Sequence, residues 1–185
     1  MNLINPADRA PQFHYGCGMG DGRAEDFSYL KQHSLFGGIT EEAFSAIRPL
    51  VETRDFAPGE KIVTEGALND RIYLIVRGSV EIIKEMHEHP GQYRYITGMA
   101  EGETFGEMEL IDIQPCAATV RTLEATTTLS LSNRDLYTIS KQDMKTYALL
   151  IMNLAREISR RLRATDELVA EDEKEHCSDS GPAGS

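Results

Sequence analysis

The side chains able to do chemistry concentrate in one run, Phe105-Gly106-Glu107-Met108-Glu109-Leu110-Ile111-Asp112-Ile113-Gln114-Pro115-Cys116-Ala117-Ala118-Thr119-Val120. It carries two carboxylates, Glu107 and Glu109, and one thiol, Cys116. A carboxylate accepts hydrogen bonds from hydroxyl and amide donors. Gly106 lets backbone approach closely whatever sits beside it. A neutral thiol offers one weak S–H donor, and an ionised thiol repels anions. A second cluster, His87-Glu88-His89, has the H-x-H spacing of some metal sites, which need a strand around the histidines. Here Pro90-Gly91 follows at once and reads as a hairpin turn. The cysteines Cys17, Cys116 and Cys177 are odd in number and far apart. That argues against a disulfide framework or a four-thiolate site and makes a reducing, cytoplasmic setting the default. No nucleophile–base set or metal cluster is apparent, so no enzymatic activity is expected.

Short strands must position these residues. From about 53 to 132 the chain reads as Lys61–Glu65, Ile72–Val76, Val80–Lys84, Tyr93–Thr97, Thr119–Leu123 and Thr126–Leu131, separated by turns at Gly66, Gly78 and Gly98. Short strands at regular spacing with glycine turns predict a sandwich or roll. Helices flank it. Phe27, Leu30 and Lys31 start one turn, and Thr40 caps a second helix with Ala43, Phe44, Ile47 and Leu50 on one face. From about Asn133 a helical period returns. Tyr147, Ile151, Leu154, Ile158, Leu162 and Thr165 fall at steps of three or four, and Glu157 and Arg161 form an i, i+4 pair.

The organisation that follows is a flexible arm over 1–24, a domain over 25–165 and a mobile acidic tail over 166–185. Within the domain the barrel covers about 53–132 and the C-terminal helices 133–165. The arm alternates Gly16, Gly18, Gly20 and Gly22 with other residues, and no strand precedes it as a phosphate-binding glycine loop would need. A length of 185 residues suits one domain with modest extensions. No signal peptide and no apolar run of membrane length are visible. The net charge of -11 repels phosphate backbones and anionic lipid, so neither nucleic acid nor membrane is expected as a partner.

The run Phe105–Val120 resembles the phosphate-binding cassette of cyclic nucleotide-binding domains, which usually reads F-G-E-L-A-L, a short gap, then P-R-A-A-T-V. Pro58-Gly59-Glu60, Glu65-Gly66 and Val76-Arg77-Gly78-Ser79-Val80-Glu81 extend the resemblance. Asn153–Leu162 looks like the long dimer helix that follows the barrel in Crp–Fnr regulators. The resemblance covers roughly residues 27–165. It implies a mainly β fold with flanking helices: a jelly-roll β-barrel with N-terminal helices and a long C-terminal helix. It also implies a ligand site formed by Phe105, Gly106, Glu107, Met108, Glu109, Cys116, Ala117, Ala118 and Thr119. In the family, Glu107 would accept from the ribose 2′-hydroxyl and Ala117 would offer its N–H to the cyclic phosphate.

Two positions depart from that pattern. Cys116 stands where the family's arginine binds phosphate, and Glu109 stands where the family has a small residue. A guanidinium makes two charge-assisted bonds to one phosphate. At about 1.5–3 kcal/mol each, their loss weakens binding by roughly a hundredfold to several thousandfold. Cyclic AMP and cyclic GMP are therefore expected to be held weakly or lost. For Glu107 a structural role, tied to cassette amides, stays open beside the ligand role. Cys116 reads as a small pocket-lining filler. Glu109 reads as turned to solvent or paired with a nearby arginine.

These readings describe a stand-alone regulatory or ligand-sensing module of bacterial style. It forms a homodimer through Tyr147, Ile151, Leu154, Ile158 and Leu162. One alternative is a degenerate domain acting as an adaptor for a protein partner. Another is a Crp–Fnr-type transcription regulator lacking its helix-turn-helix, for which the 23 residues after Leu162 leave no room. A cupin-like metalloprotein using His87 and His89 is the distant one.

Overall fold

A computed structural model describes residues 28–112 and 114–178. The arm over 1–24 and Phe27 lie outside the described residues. Helix α1 (Ser28–Gln32) and a 3-10 turn (Ser34–Phe36) lead to α2 (Glu41–Ile47), whose Thr40 hydroxyl caps the Ala43 N–H at 3.3 Å. A second 3-10 turn (Arg48–Leu50) carries Pro49 at its start. The strands are β1 (Glu52–Phe56), β2 (Lys61–Val63), β3 (Arg71–Arg77), β4 (Ser79–Glu85), β5 (Tyr93–Ala100) and β6 (Thr104–Phe105). Helix α3 (Glu107–Asp112) interrupts them before β7 (Thr119–Thr122) and β8 (Thr126–Ser132). Helices α4 (Asn133–Gln142) and α5 (Met144–Ser178) close the described chain.

The strands form two four-stranded antiparallel sheets, ordered β1-β8-β3-β6 and β2-β7-β4-β5. This is the expected jelly roll with flanking helices. Side chains of a strand alternate between faces, and β3 uses both. Ile72 and Leu74 join a core with Leu35, Phe36, Phe44, Leu136, Leu150 and Leu154, between sheet and helices. Tyr73 and Ile75 join a second core inside the roll, with Val63, Val80, Met99, Phe105, Cys116 and Val120.

Two strands escape the sequence pattern. β1 reads Glu-Thr-Arg-Asp-Phe and has no apolar alternation; it is an edge strand, half-exposed or exposed throughout. β6 has only two residues. β5 also runs through Gly98 rather than ending before it, because Gly98, Met99 and Ala100 continue the ladder with Glu81, Val80 and Ser79 of β4. The loop between β4 and β5 closes with Met86 N–H to Gln92 O at 2.9 Å, and His87 and His89 are exposed on it.

Helix α5 continues beyond Asp166, where composition predicts a mobile acidic tail, and ends at Ser178. The segment Asp166–Ser178 contains no glycine or proline and carries Glu167, Leu168, Ala170, Glu171, Glu173, Lys174 and Glu175, all good helix formers. Local propensity outweighs the low hydrophobicity there. Among the described residues, no helix is long and apolar enough to cross a membrane.

Candidate functional site

The cassette is held by turns only glycine can make. Gly106 has φ +83, and a β-carbon there would stand 2.5 Å from the Arg71 carbonyl oxygen and 2.9 Å from the Asn69 amide nitrogen. That carbonyl is fixed: the Asn69 side-chain amide donates to it at 2.6 Å. Just before Gly106, Phe105 is 2% exposed and stacks on Tyr73, with ring centroids 4.9 Å apart. Just after it, Glu107 opens α3 and is also buried, at 4% exposure. Met108 is exposed and Glu109 half-buried.

The other half of the cassette crosses the same region. Cys116 is 3% exposed and packs in the inner core with Tyr73, Met99 and Phe105. Its N–H donates to the Ala67 carbonyl at 2.8 Å, and its carbonyl accepts from Gly66 N–H at 2.8 Å. Burial pushes the thiol's pKa up, and the Glu109 carboxylate nearby adds to that. The sulfur is therefore an un-ionised apolar filler rather than a nucleophile. Ala117 is exposed and Ala118 half-buried. Buried Thr119 accepts from the Glu65 N–H through its hydroxyl at 3.0 Å.

One residue of the site enters the sequence reading only as half of a helix-surface ion pair. Arg161, on α5, donates to Glu107 Oε1 at 2.8 Å. Its second amino nitrogen donates to the Thr104 carbonyl and, at 3.1 Å, to the Thr104 hydroxyl. The expected Glu157–Arg161 helix pair does not form as the main contact. Glu157 instead bonds Arg160 and the Ser34 hydroxyl. The reason is rotation of the helix. Its buried face runs through Thr146, Leu150, Asn153 and Leu154, and steps of three to four carry that face to Glu157 and Arg161. An arginine on the continuation of an apolar stripe was the available signal.

Glu107 feels two opposed influences. Burial raises its pKa above the ordinary 4.5, the Arg161 guanidinium lowers it, and burial prevails. Its Oε2 atom is buried with no hydrogen-bond partner. A buried acceptor left open is costly.

The same rotation redistributes the expected dimer seam. Leu154 is 1% exposed inside the chain's own core, and Tyr147 and Ile151 pack against that core. Leu154 is thus unavailable to a partner. Ile158 is half-buried and Leu162 is 60% exposed.

The turn ahead of the cassette is tied to the N-terminal segment by His33. Its Nδ1 accepts from Leu35 N–H at 3.1 Å, so Nε2 carries the proton and donates to the Gly102 carbonyl at 2.9 Å. Burial lowers its pKa, against the raising effects of Gly102 and Glu157 and with the help of Arg160. The unfolded chain takes up this proton near the ordinary 6.5 and the folded chain only below it. The stabilisation is complete above that value and is lost as pH falls from there through the lower folded pKa. The thermal midpoint should fall between about pH 7.5 and pH 5.5. His33→Asn should shrink that fall; an unchanged fall would place the pH sensitivity elsewhere.

Two antiparallel sheets rolled around an inner core, a short helix after Phe105-Gly106, and a long C-terminal helix define a jelly-roll domain with flanking helices. Residues 53–143 match the sequence model of the cyclic nucleotide-binding domain, and this domain belongs to that family. Over 137 residues the chain is 29% identical to the cyclic AMP receptor protein of Thermus thermophilus, covering 74% of this chain and 61% of that protein. Over 94 residues it is 31% identical to the cAMP-dependent protein kinase regulatory subunit of Yarrowia lipolytica, covering 51% of this chain and 23% of that one. The crystal structure of the Thermus thermophilus catabolite activator protein superposes with a TM-score of 0.62 at 28% identity, over 74% of this chain and 62% of that chain. The chain therefore spans less than two thirds of each of these proteins. By name they are regulators rather than catalysts.

Proposed function

We propose that this chain is a regulatory or ligand-sensing module, without catalytic activity, whose cassette has lost the counter-charge for a cyclic phosphate. The observation that carries this reading is Cys116, neutral and packed among apolar side chains where the family places an arginine. Glu109 lies close enough to raise the Cys116 pKa and adds negative charge to the same place. Glu107 keeps the carboxylate suited to a ribose hydroxyl; its Oε2 makes no hydrogen bond but is buried, so a ligand gains it only when the cover over the carboxylate moves. Calorimetric titration with cyclic AMP and cyclic GMP tests it: weak binding or none supports the reading, and tight binding ends it. A second reading, an adaptor that works through protein contacts and binds no nucleotide, is favoured by Arg161 already occupying Glu107.

The homodimer belongs to this proposal in a narrower form. Ile151, Ile158 and Leu162, with Ala155 between them, leave an apolar strip on α5 beside its buried face. Leu162→Glu should give a folded monomer by sedimentation, because that side chain is exposed within the chain. Leu154→Glu would instead put a charge in the core. A parent chain that sediments as a monomer at high concentration would rule the dimer out.

A further inference from the structure

Arg161 covers the carboxylate that a ligand would need. Glu107 has a side chain only 5% exposed, whereas that of Arg161 is 33% exposed, so the solvent side of the pair belongs to the arginine. The other contacts of the pair are with β6: the Thr104 carbonyl and hydroxyl hold the second amino nitrogen. Thr104 is itself buried, and the backbone at Gly106 is locked against Arg71 and Asn69. The strand and turn are therefore the fixed side of the site, and the α5 side chain is the part able to move. Past Arg161, every α5 residue from Leu162 to Glu167 is exposed. Among the described side chains, Arg161 is the last that anchors α5 to the roll.

We propose that Arg161 is the site's own occupant. It holds Glu107 when no ligand is present, and a ligand hydroxyl reaches that carboxylate only by displacing it. Binding at the cassette and docking of α5 beyond Leu154 then exclude one another. This rests on the reading of Glu107 as a ligand acceptor given above. The exchange is balanced in kind: the ligand takes over a charge-assisted bond to the carboxylate, and the guanidinium gains water. Displacing Arg161 also gives up its bonds to Thr104, which no ligand contact replaces. Binding is correspondingly weaker than the same site would give with Arg161 absent.

The test compares Cys116→Arg with Cys116→Arg/Arg161→Ala, each in the 185-residue chain, titrated with cyclic AMP. Circular dichroism melts confirm that both are folded, and Arg161→Gln replaces Arg161→Ala if the latter is not. The second variant should bind roughly ten- to a hundredfold more tightly, the worth of one or two bonds to a charged group. Hydrogen exchange gives a readout on Cys116→Arg alone: α5 amides beyond Leu154 should exchange faster when cyclic AMP saturates the site. Equal or weaker binding after Arg161 is removed, or α5 exchange unchanged or slowed by ligand, overturns the proposal while leaving the site itself intact. Binding by neither variant overturns the proposal together with the reading of the cassette as a ligand site. Binding by the double variant alone supports both.

Discussion

Cys116→Arg should gain affinity for cyclic AMP by roughly a hundredfold or more over the parent chain, the worth of two charge-assisted bonds to one phosphate. The backbone at 116 is already fixed by its bonds to Ala67 and Gly66, so the new side chain starts from a defined point. Cys116 points into an apolar core, but an arginine stem is itself apolar and can line that core while its head leaves it. The head would meet Glu109, whose field already reaches Cys116. Part of the new charge would then be spent on that carboxylate. Glu109→Ala should therefore add to the gain, and the two sites lie close enough that their effects need not sum. Calorimetry on both single variants and the double variant checks this. An absence of gain in the double variant would mean that the pocket is closed, or shaped for something other than a cyclic nucleotide.

Gly106→Ala should cost about 2–4 kcal/mol of stability, from a left-handed backbone and a steric clash together. The clash is with the Arg71 carbonyl oxygen at 2.5 Å, a backbone atom that a side-chain rotation cannot move aside. Gly59 supplies the control. Its φ is +80, close to that of Gly106, but nothing lies within 4 Å of its missing β-carbon. Gly59→Ala carries only the backbone cost, about 1 kcal/mol. Denaturant unfolding of the two variants should separate them clearly. Equal losses would mean that the turn at Gly106 relaxes and that the cassette is less rigid than its contacts indicate.

The sheets and turns were legible because their signals are local. Gly66 and Gly78, read as turns, both have positive φ, and the Thr40 cap depends on residues three apart. The cassette was legible as a motif for the same reason. Arg161 was not, because its partner is 54 positions away and its place on the continuation of the apolar stripe does not name that partner. Leu154 was misplaced for a related reason. A stripe at steps of three and four fixes that one helix face is apolar, and a rotation by one residue decides what that face touches. β1 was missed because an exposed edge strand needs no apolar alternation.

The most direct test of the central claim is a calorimetric titration of the unmodified 185-residue chain with cyclic AMP at neutral pH. With Cys116 neutral and buried and Glu107 held by Arg161, the dissociation constant should be about a millimolar or weaker, a binding free energy of roughly -4 kcal/mol at most. A dissociation constant near a micromolar or tighter would contradict the account, because it would require a cation for the phosphate that the cassette does not supply.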